Sequence, residues 1–250
     1  MKFLIIYLSG LLYCLGASAQ QAMFLQQGRI EYERKINMHA RLDAMYLDAD
    51  NTSWRDLQKK ATPKFFVSYF DLLFSNNTTL YSPGRENPDN ARHWETPAEA
   101  NVVYSLLGSG RSLAQKKVFE QTFLVDDSLR QIKWKITDET RKIAGFDCRR
   151  ANAVIMDSIY VVAFYTDAIV TPGGPESFTG LPGMILGVAL PHEHVTWFAT
   201  KVLVEDVKET ALQAPKKGKK VNNATLAETV GKALKEWGNY GKDYLKSIAL

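Results

Sequence analysis

Residues 142–165, KIAGFDCRRANAVIMDSIYVVAFY, contain three strand-length segments that are separated only by short polar turns. The segments cover residues 142–146, 148–156 and 159–165. They are rich in β-branched and aromatic residues, which fit the pleated surface of a sheet. The stretch therefore predicts consecutive strands joined by tight turns rather than strands alternating with helices.

The same pattern extends to both sides of this stretch. Residues 29–38 alternate, with Ile30 and Tyr32 on one side and Glu31 and Glu33 on the other, as in a strand with one solvated face. Further strands are predicted at residues 65–74, 78–81, 101–107, 117–125, 131–136, 181–190 and 194–207. About ten strands with short links favour a meander. We therefore predict a mainly β fold with a large curved antiparallel sheet and a C-terminal helix. An open half-barrel is one form that such a sheet could take.

The first 19 residues have the features of a signal peptide. Lys2 precedes an apolar stretch, and small residues stand at the expected cleavage site. A lipoprotein signal at Cys14 is the alternative, but the bulky Tyr13 precedes that cysteine where a small residue is usual. We predict cleavage after residue 19 and release into the periplasm or the extracellular space, with residues 20–207 as one β domain.

The net charge of +4 is concentrated at the C-terminal end of the chain. Residues 201–250 hold ten lysines and six acidic residues, whereas the charges of residues 1–200 balance. Because the main body shows no interleaving of basic and aromatic residues, nothing in the sequence indicates nucleic-acid binding.

Residues 208–221 are predicted to form a basic linker and residues 222–250 an amphipathic helix. Thr225 and Glu228 fit a capping box, and apolar residues recur at helical spacing beyond them. The linker lysines are Lys216, Lys217, Lys219 and Lys220. The helix could dock on its own sheet, on an envelope partner, or on an anionic membrane surface that attracts these lysines. The sequence leaves these three alternatives open.

The most distinctive motif is FTGLPGMIL at residues 178–186. It resembles the signature of the GLPGLI family, exported proteins of Bacteroidota, with Met184 in place of the usual leucine. The preceding blocks WKITDET at residues 134–140 and KIAGFDCRRA at residues 142–151 also resemble that family. The resemblance covers about residues 100–205 and implies an exported β protein; it implies no reaction.

The motif also has a direct physical interpretation. Gly180 and Gly183 permit backbone angles that other residues avoid, and Pro182 fixes one angle between them. The segment is therefore expected to form a rigid bend that closes one edge of the sheet. Alternatively, the bend lines the mouth of an apolar groove. In that case the ligand-binding residues would be Phe178, Leu181, Pro182, Met184 and Trp134.

The sequence offers two weak candidates for catalysis. His192 and His194 could donate two nitrogens to a metal ion if they lie on one side of a strand, although no spaced third ligand is evident. Cys148 could act as a nucleophile, but no local motif marks it, and a small apolar core residue fits its surroundings equally well. We predict no cofactor and assign no catalytic residue.

These features favour a non-catalytic binding or chaperone-like protein of the cell envelope. Its predicted partner is an apolar ligand or a peptide segment of an envelope protein. Two alternatives remain: a hydrolase that depends on a metal ion or on the Cys148 thiol, and a structural subunit of an outer-membrane assembly.

Overall fold

The computed structural model describes residues 24–46, 52–92 and 96–250. The predicted signal peptide over residues 1–19, with Cys14, lies outside these described residues. Within them, no helix is long and apolar enough to cross a membrane.

The described chain folds around one sheet of twelve strands. In chain order the strands are β1 (Gln27–Asn37), β2 (Phe65–Ser75), β3 (Thr78–Pro83), β4 (Val102–Leu106), β5 (Arg111–Val118), β6 (Gln121–Ser128), β7 (Lys135–Ile143), β8 (Phe146–Ile155), β9 (Ile159–Thr166), β10 (Met184–Leu190), β11 (Val195–Leu203) and β12 (Lys219–Val221). Helices α1 (Met38–Met45) and α2 (Thr52–Ala61) stand between β1 and β2, and α3 (Asn223–Ala233) and α4 (Gly238–Ala249) follow β12.

The first strand lies at the middle of the sheet, between β2 and β11. From β1 to β6, and from β11 back to β7, each strand pairs with its neighbour in sequence in antiparallel orientation. Among the twelve described strands, only β12 is parallel to its partner, β6. The prediction of a mainly β protein with one large curved sheet and a C-terminal helix is confirmed, with β12 making the sheet mixed.

The core lies on one face of the sheet. Every second side chain of β1 points toward this face and is buried there. Tyr32, Phe70, Tyr81 and Trp197 are among the largest fully buried side chains of this face. The Tyr32 hydroxyl donates a hydrogen bond of 2.6 Å to the carbonyl of Ile185, which connects β1 to β10 across β11. Strands β9 and β10 are buried on both faces, which explains why their sequences are continuously apolar.

Two of the predicted strands are interrupted by a turn in the structure. Residues 117–125 reverse direction at Phe119 and Glu120, so that Val118 pairs with Gln121. Neither turn residue is of the type that marks a two-residue hairpin, which is why the pattern concealed it. Similarly, the predicted strand over residues 142–146 contains a turn at Ala144 and Gly145. The strand predicted at residues 131–136 differs for another reason, since residues 131–134 form no regular element and β7 begins at Lys135.

The C-terminal segment is more integrated than its sequence indicated. Within the predicted basic linker over residues 208–221, β12 pairs with β6 and extends the sheet. The predicted single helix over residues 222–250 is two helices. The first, α3, is capped by the Asn222 side chain rather than by Thr225, and α4 has no side-chain cap. The break is set by Gly238, whose φ is +58°, and by Gly241, where a Cβ would lie 2.6 Å from the Leu234 carbonyl oxygen.

Both C-terminal helices pack on the sheet of their own chain. The residues that they bury in the main core are Leu226, Val230, Leu234, Ile248 and Leu250. The sequence left three docking alternatives open. In the structure, the apolar side of these helices packs on the sheet of its own chain.

Candidate functional site

The glycine–proline bend is a structural element of the core rather than the mouth of a groove. Gly183 has φ +139°, and a Cβ there would lie 2.1 Å from the Thr166 carbonyl oxygen, so the two backbones are in close contact. The Gly183 amide donates to the Leu181 carbonyl at 2.8 Å, which closes the turn around Pro182. The bend thus leads the chain directly into β10. Because β10 lies inside the sheet between β11 and β9, the expectation that the bend closes an edge of the sheet was wrong.

The five predicted ligand-binding residues divide between the core and the surface. Phe178, Leu181 and Met184 are at most 2% exposed, so they are not accessible to a ligand at a groove mouth. Pro182 is exposed at the turn. Half-buried Trp134 donates from its indole nitrogen to the Thr179 carbonyl at 2.9 Å and covers the bend. The structure therefore does not bring these five side chains together as a binding site.

The weak candidates for a metal site and for a reactive thiol are also poorly arranged for chemistry. His192 and His194 lie in the turn between β10 and β11, where His194 has φ +54°, and not on one side of a strand. Beside them, Lys246 is 3.6 Å from Glu193, which places a competing cation at the site. Among the described residues, no group of three or more potential ligands could hold a metal ion.

Cys148 is fully buried on β8. Burial raises the pKa of its thiol to about 11, so the nucleophilic thiolate is scarce at neutral pH. The side chain behaves as a small apolar core residue with a weak hydrogen bond to the Phe146 carbonyl.

A more accessible site is a groove between the N-terminal and C-terminal helices, which we call the helical groove. Its volume is about 420 Å³. Apolar and aromatic side chains form most of its wall, and polar side chains complete it. The lining residues are Met38, Leu42, Met45, Tyr46, Pro97, Tyr240 and Tyr244, with Arg41, Gln58, Thr62, Thr96 and Asp243.

Buried Arg34 on β1 fixes one part of this wall. Its guanidinium donates hydrogen bonds to the Pro97 carbonyl at 2.8 Å and to the Thr96 hydroxyl at 3.2 Å. It also lies 3.4 Å from the Glu99 carboxylate and 5.6 Å from the centre of the Trp197 ring. Because Arg34 is only 3% exposed, this segment of the groove is anchored from within the core.

The charged residues of the helical groove compensate each other. Arg41 donates to the Ser247 hydroxyl at 3.2 Å, and Asp243 faces it from α4. Burial lowers the pKa of Arg41, and the nearby Arg34 lowers it further, whereas Asp243 raises it. With one cation and one anion the groove is close to neutral, which suits an uncharged or apolar ligand.

Four aromatic rings next to the groove form a surface that we call the aromatic patch: Phe119, Trp237, Tyr240 and Tyr244. Phe119 stacks on Tyr244 with ring centres 4.9 Å apart and lies 5.3 Å from Trp237. Tyr240 is 5.7 Å from Trp237 and 6.2 Å from Tyr244. Tyr240 and Tyr244 belong to both the patch and the groove.

Sequence reasoning missed both surfaces because their parts are distant along the chain. The groove joins α1 to α4, about two hundred residues later, and the patch joins the β5–β6 turn to α4. The recurrence of aromatic residues between Trp237 and Tyr244 was the one usable signal, and it was interpreted as part of the apolar face of a helix whose docking surface stayed open.

Comparison with known proteins identifies relatives of the fold. The sequence model of the family described as "N-glycanase peptide, N-terminal domain" matches residues 73–227. Two solved structures of PNGF-II, in space groups C2 and P21, share the fold with a TM-score of 0.53 and 16% sequence identity. The superposition covers 83% of this chain but only 33% and 34% of those chains. No curated protein matches the sequence.

Proposed function

The chain belongs to the family of N-glycanase N-terminal domains, and we propose that it is a non-catalytic binding domain that holds a segment of a glycan-bearing polypeptide in the helical groove. The chain spans about a third of the length of PNGF-II. We therefore propose only binding for this chain, and no cleavage of a glycan.

The groove is the observation that supports this proposal. Its volume of about 420 Å³ lies within the range of roughly 300–1,000 Å³ that is common for binding sites. Its mostly apolar wall would bury side chains of an extended peptide, and the polar residues at its edge could accept or donate hydrogen bonds to the peptide backbone.

The kind of lining residue favours a polypeptide of variable sequence. Met38 and Met45 have flexible, polarizable side chains that adapt to different shapes. Tyr46, Tyr240 and Tyr244 offer flat apolar surface with a hydroxyl that can bind water or a backbone group. Such a wall binds apolar segments without selecting one sequence, which is what a domain acting on many glycan-bearing chains requires.

The hydrolase alternative lacks comparable support. The Cys148 thiol is buried and protonated at neutral pH, and the two histidines lie in a turn beside cations. Neither arrangement provides an activated nucleophile next to an accessible cavity.

The test measures the affinity of the purified protein for one apolar peptide, with and without an N-linked glycan, by isothermal titration calorimetry. We expect both forms to bind. Replacing half-buried Met45 by glutamate places a charge in the groove and should weaken both affinities about tenfold or more. Met156→Glu is the matched control, because Met156 is a half-buried methionine in the β8–β9 turn, outside the groove.

Three results would overturn the proposal: no binding of either peptide, equal loss of affinity in Met45→Glu and Met156→Glu, or binding of the free glycan alone. Thermal unfolding of each variant checks that the fold is retained, so that a loss of affinity is assigned to the groove itself.

A further inference from the structure

The aromatic patch contains large aromatic side chains that are extensively exposed to solvent. Phe119 is 40% exposed, Trp237 47% and Tyr240 43%. They come from two elements more than a hundred residues apart and still form one contiguous cluster. Exposed apolar side chains are ordinary when scattered, but a contiguous group of this kind marks an interaction site.

Phe119 is placed in this cluster against the preference of the backbone. It occupies the first position of the two-residue turn between β5 and β6, with φ +53°. Glycine and asparagine favour that conformation, and a bulky residue rarely adopts it. Stacking on Tyr244 at 4.9 Å holds the ring in place. The ring is therefore held at the hairpin tip by a contact with a distant element and not by the preference of its own backbone.

A group of unpaired lysines lies at the same end of the sheet. Because β12 runs parallel to β6, with Lys219 beside Phe123, the residues before Lys219 extend toward the Phe119 turn. Gly218 is held against β6, since a Cβ there would lie 3.0 Å from the Thr122 carbonyl oxygen. The segment exposes Lys216, Lys217, Lys219 and Lys220, and none of them forms an ion pair with the described residues.

The charge around the patch remains positive when its acidic neighbours are included. Glu120 follows Phe119 in the turn, and Glu236 precedes Trp237. Both are exposed, as is Lys235 on the same turn of the chain. With Lys117 before Phe119, and with Lys242 and Asp243 before Tyr244, seven lysines stand against three acidic residues in these segments.

From this juxtaposition we propose that the aromatic patch and the lysines of residues 216–220 form a docking surface for an anionic lipid bilayer. Tryptophan and tyrosine prefer the boundary between headgroups and acyl chains, because one end of the ring is apolar and the other is polar. The lysines attract the negative surface of the bilayer and the rings enter its interface. The lysines alone, or the aromatic rings alone, would also fit other partners. Together they match the charged headgroup surface and the interface beneath it.

The docking surface and the helical groove share Tyr240 and Tyr244. The lysines do not line the groove, so the lysine substitutions leave its wall unchanged, whereas Phe119→Asn removes a ring that stacks on Tyr244. Docking would hold the groove close to a membrane surface.

Co-sedimentation with vesicles tests the proposal. The full chain should bind vesicles of phosphatidylcholine mixed with phosphatidylglycerol, bind pure phosphatidylcholine far less, and be released by salt. Phe119→Asn should weaken binding severalfold without unfolding, since asparagine suits the turn conformation. The matched control is Phe65→Asn, which alters a phenylalanine on β2 that is 45% exposed and outside the patch.

The charge requirement has its own pair of variants. Lys216→Glu combined with Lys217→Glu should weaken binding about tenfold or more. Lys133→Glu combined with Lys135→Glu changes the net charge equally at two exposed lysines near β7 and should have a much smaller effect.

Three outcomes would overturn the proposal. The first is no binding to anionic vesicles. The second is equal binding by a patch variant and its control. The third is a response of the Trp237 fluorescence to soluble oligosaccharide together with no response to vesicles, which would assign the patch to sugar rings instead.

Discussion

The side-chain ammonium of Lys116 donates a hydrogen bond of 2.7 Å to the backbone carbonyl of Ile248. This contact joins β5 to the last turn of α4 beneath the surface, where Lys116 is only 4% exposed. The carboxylate of Glu176, which accepts a hydrogen bond from Asn101 at 2.9 Å, is the nearby negative charge, and Arg130 is the nearby positive one. The C-terminal helices are therefore held by a buried polar contact as well as by apolar packing.

Lys116 should make the stability of the protein rise with pH in the alkaline range. Burial lowers its pKa from 10.5 to about 8, and Glu176 only partly offsets this. Between these two values the unfolded chain binds a proton that the folded chain has released, so the free energy of unfolding increases with pH. Complete titration corresponds to roughly 3 kcal/mol. Lys116→Met removes the effect.

The measurement is urea unfolding of the native protein and of Lys116→Met at a series of pH values from 8 to 10.5. The Cys148 thiol, whose pKa is raised to about 11, acts in the opposite direction above pH 9. It is present in both proteins, so their difference isolates Lys116. A difference that stays constant over this range would show that the buried amine does not titrate there.

We expect that Gly183 cannot be replaced even by alanine, whose side chain is a single methyl group. An alanine Cβ would lie 2.1 Å from the Thr166 carbonyl oxygen at a φ of +139°, so the backbone of the bend must move. We expect Gly183→Ala to lower the free energy of unfolding by about 3 kcal/mol or more. Gly108→Ala is the control, because its nearest neighbour would be an ordinary 3.8 Å away. Similar melting temperatures for both variants would show that the bend is not conformationally restricted.

Cys148 should react slowly with thiol reagents in the folded protein. It is fully buried, and its raised pKa leaves little thiolate at neutral pH. Labelling should become fast only in denaturant, and Cys148→Ala should leave peptide binding by the groove unchanged. Rapid labelling of the native protein would instead revive the thiol-dependent hydrolase as an alternative.

The fold was largely predictable because period-two alternation is a local property. The segment over residues 65–74 was predicted as a strand, and β2, whose buried and less buried side chains alternate, differs from it by one residue. The β5–β6 hairpin was missed for a specific reason: Phe119 stands where turn chemistry calls for glycine or asparagine. The residue that concealed the turn is also the one that the aromatic patch needs.

The candidate sites were much less predictable, since each depends on contacts between distant segments. Met45 and Tyr240 meet only after the sheet has brought α1 and α4 together. Phe178 and Met184 had a groove mouth as the alternative to a structural bend, because a sequence does not show whether an apolar residue near glycine packs in the core or contacts a ligand. The resemblance to the GLPGLI family and the cleaved signal peptide stay predictions, as neither the family match nor the described residues bear on them.

Leu226 on α3 provides the sharpest test of how the C-terminal helices contribute to the fold. It is 2% exposed and belongs to the main core, so Leu226→Ala should leave a cavity and cost about 2–5 kcal/mol. The matched control is Leu57→Ala on α2, because Leu57 is 55% exposed and should change stability by less than about 0.5 kcal/mol. Both variants are compared by urea unfolding. If Leu226→Ala is as stable as Leu57→Ala, the helices do not contribute to the core in solution, and residues 222–250 would be free to dock elsewhere.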